Sequence, residues 1–208
     1  MIDASQIYKL IKAYASLDDK VFCDLHKCAD ANKCELPQHH FMLNFDNVKD
    51  TYCRNNKLTP CKSADGLSYN DNGILFLIEI KGWNLYKEHD NPQSEQKVKD
   101  KVDKYRLAVK LTDSLNICKN VLPKAETITV PIVYLVVSDI RRNESLESIE
   151  NNLALLAETS SDLSNVYEEG IKSQLSLISD IDYGFVENCQ QIDQELNSWI
   201  KAREVQLV

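Results

Sequence analysis

Apolar residues recur along the chain at two spacings, and the changes between them mark the elements. In "DASQIYKLIKAYASL" (residues 3–17), Ile7, Leu10, Ile11 and Tyr14 follow helical spacing. Residues 23–43 are irregular and polar, with Pro37 and a His39–His40 pair. "NFDNVKDTYCRNN" (44–56) predicts a short helix with Phe45, Val48 and Tyr52 on one face. Two strand-like runs, "SADGLSY" and "ILFLIEIKGW", flank "NDNG" (70–73), a tight-turn signal. After "HDNPQS", residues 94–119 predict one long helix with Val98, Val102, Tyr105, Val109 and Leu115 facing inward. "ETITVPIVYLVVSD" (126–139) predicts another apolar strand, and its Pro131 suggests an edge or a bulge. The remainder is mostly helical, with one segment at 145–158 and another near 186–203.

This order implies an α/β fold with a sizeable core in 1–139. A helical extension, 140–208, then packs on that core or on a partner. A chain of 208 residues is long enough for such a core. Its 43% hydrophobic and 27% charged content is that of an ordinary globular protein. No apolar run approaches the ~20 residues of a membrane span, and "MIDASQIYKLIKAY" lacks a signal peptide's apolar segment. The expectation is a cytoplasmic protein without membrane contact. The seven cysteines are irregularly spaced, which suits free thiols in a reducing compartment.

Charge changes the picture once it is mapped. The net charge of −8 argues at first against a nucleic-acid partner. Residues 140–208, however, hold 5 Lys and Arg against 13 Asp and Glu, and the first 139 residues are balanced. A basic surface on the first two-thirds therefore stays open.

The central oddity is "ILFLIEIK", apolar enough for a buried strand yet carrying Glu79 and Lys81. Residues i and i+2 of a strand share a face, so both charges project to one side. Asp65 lies 14 residues before Glu79, where the preceding strand-like run begins. Burying charge is costly unless it is paired or bound to metal. A salt bridge on an exposed sheet face is the plain reading of Glu79-x-Lys81 alone.

The Asp65-x13-Glu79-x-Lys81 pattern, followed by a helix and an apolar strand, resembles the PD-(D/E)XK nuclease superfamily. The resemblance covers roughly residues 40–139; "KSA" stands before Asp65 where this superfamily often has proline. It implies a restriction-endonuclease-like core, a mixed sheet flanked by helices in the order αβββαβ. It further implies Mg²⁺, with Mn²⁺ as a substitute, held by Asp65, Glu79 and the backbone carbonyl of Ile80. Such an ion neutralises the scissile phosphate and lowers the pKa of the attacking water. Lys81 would orient that water and stabilise negative charge. Ile74, Phe76, Ile78 and Ile80 would make the site's wall rigid. The implied activity is phosphodiester hydrolysis in DNA, or in RNA, within a defence, repair or mobile-element system.

Family members often add an acid or amide from the first core helix. Asp46 is the candidate here, with Asn44 and Glu35 as alternatives, although Asp46 also suits a helix cap. Lys97, Lys101 and Lys104 share a helix face and could meet phosphates, although Glu95, Asp100 and Asp103 dilute that face. Cys23, His26, Cys28, Cys34, His39 and His40 invite a zinc reading, but the cysteine spacings are x4 and then x5, and no later C-x-x-C supplies the second pair that closes a zinc knuckle. The rival function is a nuclease-fold protein that no longer cuts and binds within a complex. The amphipathic "LESIENNLALLAE" would then contact another subunit or form a homodimer.

Overall fold

The computed structural model describes residues 2–21, 41–124, 126–141 and 163–200. Its centre is a mixed sheet of order β1-β2-β3-β4-β5-β6. The strands are β1 (Lys20–Val21), β2 (Phe41–Asn44), β3 (Gly66–Tyr69), β4 (Leu75–Lys81), β5 (Ile132–Ser138) and β6 (Asp182–Val186). Strands β1 to β4 are antiparallel neighbours; β4, β5 and β6 run parallel. Both expected strands flanking "NDNG" therefore join the 126–139 strand in one sheet, with that strand parallel to β4. The helices are α1 (Ala4–Ala15), α2 (Phe45–Asn56), α3 (Trp83–Asp90), α4 (Glu95–Asp103), α5 (Leu107–Val121), α6 (Leu163–Leu175) and α7 (Ile192–Ser198). None among the described residues is long and apolar enough to cross a membrane.

Strand alternation builds two cores. Leu67, Leu75, Leu77, Tyr134 and Val136 face α1 to α6. Phe76, Ile78, Ile80, Val133, Leu135 and Val137 face Met42 and the Ile192 and Leu196 side chains of α7. With both faces covered, β4 and β5 read as continuous apolar runs, as parallel strands do. The β3–β4 turn closes through Gly73, whose φ of 78° favours glycine. Asn70 fastens that turn to the other layer, donating to the carbonyls of Leu196 at 2.8 Å and Trp199 at 3.0 Å.

Several elements depart from the periodicity. The 94–119 segment is two helices, broken at Arg106, which takes a left-handed φ of 53°. The break resets the helical phase: Leu107, Leu111, Ile117 and Cys118 are buried while Val109 is exposed. In α1, Tyr8 is buried in place of the exposed Leu10. Pro131 sits just before β5 and lends its carbonyl to Leu75 at 3.0 Å, so β5 is interior and neither an edge nor bulged there. The expected strand run ends at Lys81, and its "GW" instead opens helix α3. It starts under the carboxylate of Asp139, which accepts from Trp83 N–H at 2.6 Å and Asn84 N–H at 3.1 Å.

The described part of 140–208 is not wholly helical, since β6 extends the sheet beyond β5. Helix α6 buries Tyr167, Ile171 and Leu175 in the main core. Arg141 and Lys172 neutralise Glu168 and Glu187 where α6 meets the sheet end. The 145–158 segment, including "LESIENNLALLAE", lies outside the described residues. Among the described residues of the 186–203 stretch, Ile192–Ser198 is the α-helical part.

Candidate functional site

The site lies where β3 begins and β4 ends. The antiparallel register pairs Gly66 with Ile78, so Asp65 stands at the β3 terminus beside Glu79. Alternation places Glu79 and Lys81 on the Leu77 face, toward α5. Ile74, Phe76, Ile78 and Ile80 turn the other way, into the second core. They back the strand and do not line the site, correcting the expected wall.

Asp65 is held from several directions. Its Oδ2 accepts from the Ile80 N–H at 2.8 Å, and its own N–H donates to the Ile78 carbonyl at 2.9 Å. Its carbonyl accepts from Phe45 N–H at 2.9 Å, which ties it to the start of α2. The next residue is glycine because a Cβ there would run into the Met42 thioether. Just upstream, Ala64 N–H donates to Ser114 Oγ at 2.8 Å and Lys62 N–H to Asp113 Oδ2 at 3.0 Å. Helix α5 therefore carries the loop that presents Asp65.

Glu79 is fully buried. Its Oε1 meets Lys81 Nζ and also Lys110 Nζ of α5, the latter at 2.5 Å. Lys110 Nζ lies 4.0 Å from Asp65 Oδ1, so one ammonium spans both carboxylates. Glu79 Oε2 has no hydrogen-bond partner among the described residues. Burial pushes the Glu79 carboxyl above its usual range, and Asp65 adds to this while Lys81 and Lys110 oppose it. Lys81 also lies 4.7 Å from the Tyr105 ring centroid and 3.4 Å from the Ile80 carbonyl.

Other expected residues are more scattered. Asp46 is in the first turn of α2 but does not cap it; Asn44 does, accepting from Asn47 N–H at 3.4 Å. Asp46 instead pairs with Lys49 at 3.1 Å and accepts at 2.9 Å from the Oγ of Ser63, which stands two residues upstream of Asp65. On α4 and its C-cap, Lys97 and Lys104 are exposed, whereas Lys101 pairs with Asp90 at 2.6 Å. Glu35 and the Cys23–His40 cluster lie outside the described residues. Of the described cysteines, Cys53, Cys61 and Cys118 are free thiols.

No group of three or more His, Cys, Asp or Glu suited to a metal is found among the described residues. Mg²⁺ requires less, since it commonly takes one or two carboxylates and fills its shell with water and substrate oxygens. Asp65 and the unpartnered, buried Oε2 of Glu79 fit that donor set chemically. A single long helix over 94–119 puts Lys110 and Ser114 out of phase with its inward face. Once α5 begins at Leu107, Lys110 and Ser114 fall on the same side as Leu107 and Leu111. Comparison with protein-family models, curated proteins and solved structures finds no match.

Proposed function

We propose that this chain is a metal-dependent nuclease with a restriction-endonuclease-like core, hydrolysing phosphodiester bonds in DNA or RNA. The observation that supports this most is the convergence of Asp65, Glu79 and Lys81 at adjoining strand ends, with Glu79 fully buried beside a second carboxylate. Two acids so placed repel one another, a cost that a cation relieves.

Mg²⁺ or Mn²⁺ would supply charge neutralisation at the phosphate and a more acidic bound water. Asp65, Glu79 and the Ile80 carbonyl are the groups that would hold it. Lys81 orients the attacking water and stabilises the charge that develops on the phosphate oxygens. Tyr105 steadies the ammonium by its ring face. Lys97 and Lys104 contact the backbone phosphates, with a smaller part for Lys101. Asp46 orders the approach to Asp65 through Ser63.

The Lys110–Glu79 contact favours a second reading, a binding module in which the four charges only fasten α5 to the sheet. One experiment separates the two. Purified protein is incubated with circular DNA, linear DNA and RNA, each with Mg²⁺, Mn²⁺ or EDTA. Metal-dependent cutting that Asp65→Asn and Lys81→Ala both abolish is expected. Absence of cutting on every substrate overturns the nuclease reading.

A further inference from the structure

We propose that Lys110 is a resident counter-ion, standing where a divalent cation binds and leaving when that cation arrives. The inference rests on the metal-dependent reading of this site and adds a residue and a form of regulation to it.

The geometry is that of a bridging cation. Lys110 Nζ is 2.5 Å from Glu79 Oε1 and 4.0 Å from Asp65 Oδ1. Lys81 approaches the same Glu79 oxygen from the strand side, so Glu79 has two ammonium partners and needs only one. Lys81 is the last residue of β4, and its ammonium also lies over the Tyr105 ring, 4.7 Å from the centroid. Lys110 comes from another layer, one turn into a helix whose first residue follows the left-handed Arg106, with no side-chain cap there. A four-carbon stem lets its ammonium withdraw without unravelling the helix.

Charge balance gives the reason to leave. Asp65, Glu79, Lys81 and Lys110 together sum to zero. Adding a divalent ion to that set leaves two uncompensated positive charges in a site where Glu79 is fully buried. With Lys110 withdrawn and a phosphodiester present, the two acids, Lys81, the ion and the phosphate again sum to zero. Metal and substrate together thus replace the lysine, and metal alone competes with it. The ammonium keeps two mutually repelling carboxylates assembled in the metal-free protein. It also raises the metal concentration at which the site loads.

The test is direct metal binding by the full chain without nucleic acid, using Mn²⁺ and electron paramagnetic resonance. Lys110→Met removes the charge and keeps the stem; Lys110→Arg keeps the charge. Lys110→Met should bind Mn²⁺ about tenfold more tightly than wild type, within the span by which neighbouring groups alter metal affinity, and Lys110→Arg should resemble wild type. Melting in EDTA should fall for Lys110→Met, and Mn²⁺ should restore more of it than in wild type. A second measurement does not depend on the variant folding: the Lys110 ammonium NMR signal of wild type should shift on adding Mg²⁺ in parallel with site loading. Unchanged or weaker Mn²⁺ binding by folded Lys110→Met, with binding still lost in Asp65→Asn, overturns the counter-ion role and leaves the metal site standing. An unmoved Lys110 signal at Mg²⁺ saturation overturns it too. No Mn²⁺ binding by wild type or Lys110→Met overturns both readings together.

Discussion

The carboxylate of Asp65 accepts a hydrogen bond from the backbone N–H of Ile80 at 2.8 Å, between Glu79 and Lys81. A side chain at the start of β3 thereby holds the end of β4 after the ladder has stopped at Gly66–Ile78. Asp65 is a structural latch as well as a candidate ligand, and the two roles respond differently to substitution. Asp65→Ala leaves a buried N–H without this acceptor, which costs about 1–3 kcal/mol. Asp65→Asn keeps an amide oxygen for Ile80 and should lose clearly less stability, while still losing metal-dependent cleavage. Urea unfolding of both variants without metal checks this; equal losses would rule out the latch.

Ser114 joins the two halves of the site. Its hydroxyl accepts from Ala64 N–H at 2.8 Å and donates to the Lys110 carbonyl at 2.7 Å. In Ser114→Ala the buried Ala64 N–H loses its acceptor, so stability should fall by about 1–3 kcal/mol. Amide hydrogen exchange at Ala64 and Asp65 should accelerate more than exchange in the middle of β4. A uniform acceleration through the sheet would show a global effect instead of a loosened loop.

These two contacts show what the sequence disclosed and what it did not. The β3–β4 hairpin and the β4–β5 pairing were legible because "NDNG" and two apolar runs carry local, strong signals. Asp65, Glu79 and Lys81 came together for the same reason: strand alternation and a short hairpin leave few other arrangements. Lys110 and Ser114 depend on the phase of α5, which the left-handed Arg106 resets. Nothing in the composition of "DKYRLAV" marks that break, since none of these residues is glycine or proline. Strand β6 was hidden because "DYGFV" is half exposed and lacks a sustained apolar run. Asp139 was unreadable as a helix cap because it reaches α3 from the end of β5, more than fifty residues away.

The Glu79 carboxyl titrates in a direction that melts can detect. Its folded-state value is raised, first by burial and then by Asp65, against the pull of Lys81 and Lys110. As pH falls, the folded protein takes up this proton before the unfolded chain does. The stabilising contribution is complete below the unfolded value of about 4.3 and is lost as pH rises through the folded one. Wild type should therefore gain stability relative to Glu79→Gln as pH falls from neutral toward about 4.3, since the glutamine cannot take up this proton. Paired urea melts at the two pH values measure the gain. A difference that moves the other way would mean that the two lysines outweigh burial.

Helix α4 predicts a graded response in nucleic-acid binding. Lys97 and Lys104 are exposed, whereas Lys101 is engaged by Asp90 and lies 4.9 Å from the Tyr86 ring centroid. Removing a phosphate-contacting lysine lowers the slope of log affinity against log salt by about 1. Lys97→Ala and Lys104→Ala should each do so, with similar weakening across unrelated sequences. Lys101→Ala should change the slope less. Fluorescence anisotropy over a salt series resolves these outcomes, and three unchanged slopes would remove α4 from the interface.

Lys81 offers the sharpest separation between chemistry and scaffold. Its ammonium meets a fully buried Glu79, and breaking an isolated buried pair typically costs about 3–5 kcal/mol. Glu79 keeps Lys110 as a second cation, so Lys81→Met should fall short of that loss. The methionine stem also retains contact with the Tyr105 ring. Catalysis has no such reserve, because Lys81 acts on the water and on charge that develops only in the transition state. Lys81→Met should therefore abolish single-turnover cleavage while nucleic-acid affinity stays within about threefold of wild type, the pattern of a group used only in the transition state. Cleavage that persists in a folded Lys81→Met protein would assign the lysine to the charge network that holds β4 to α5.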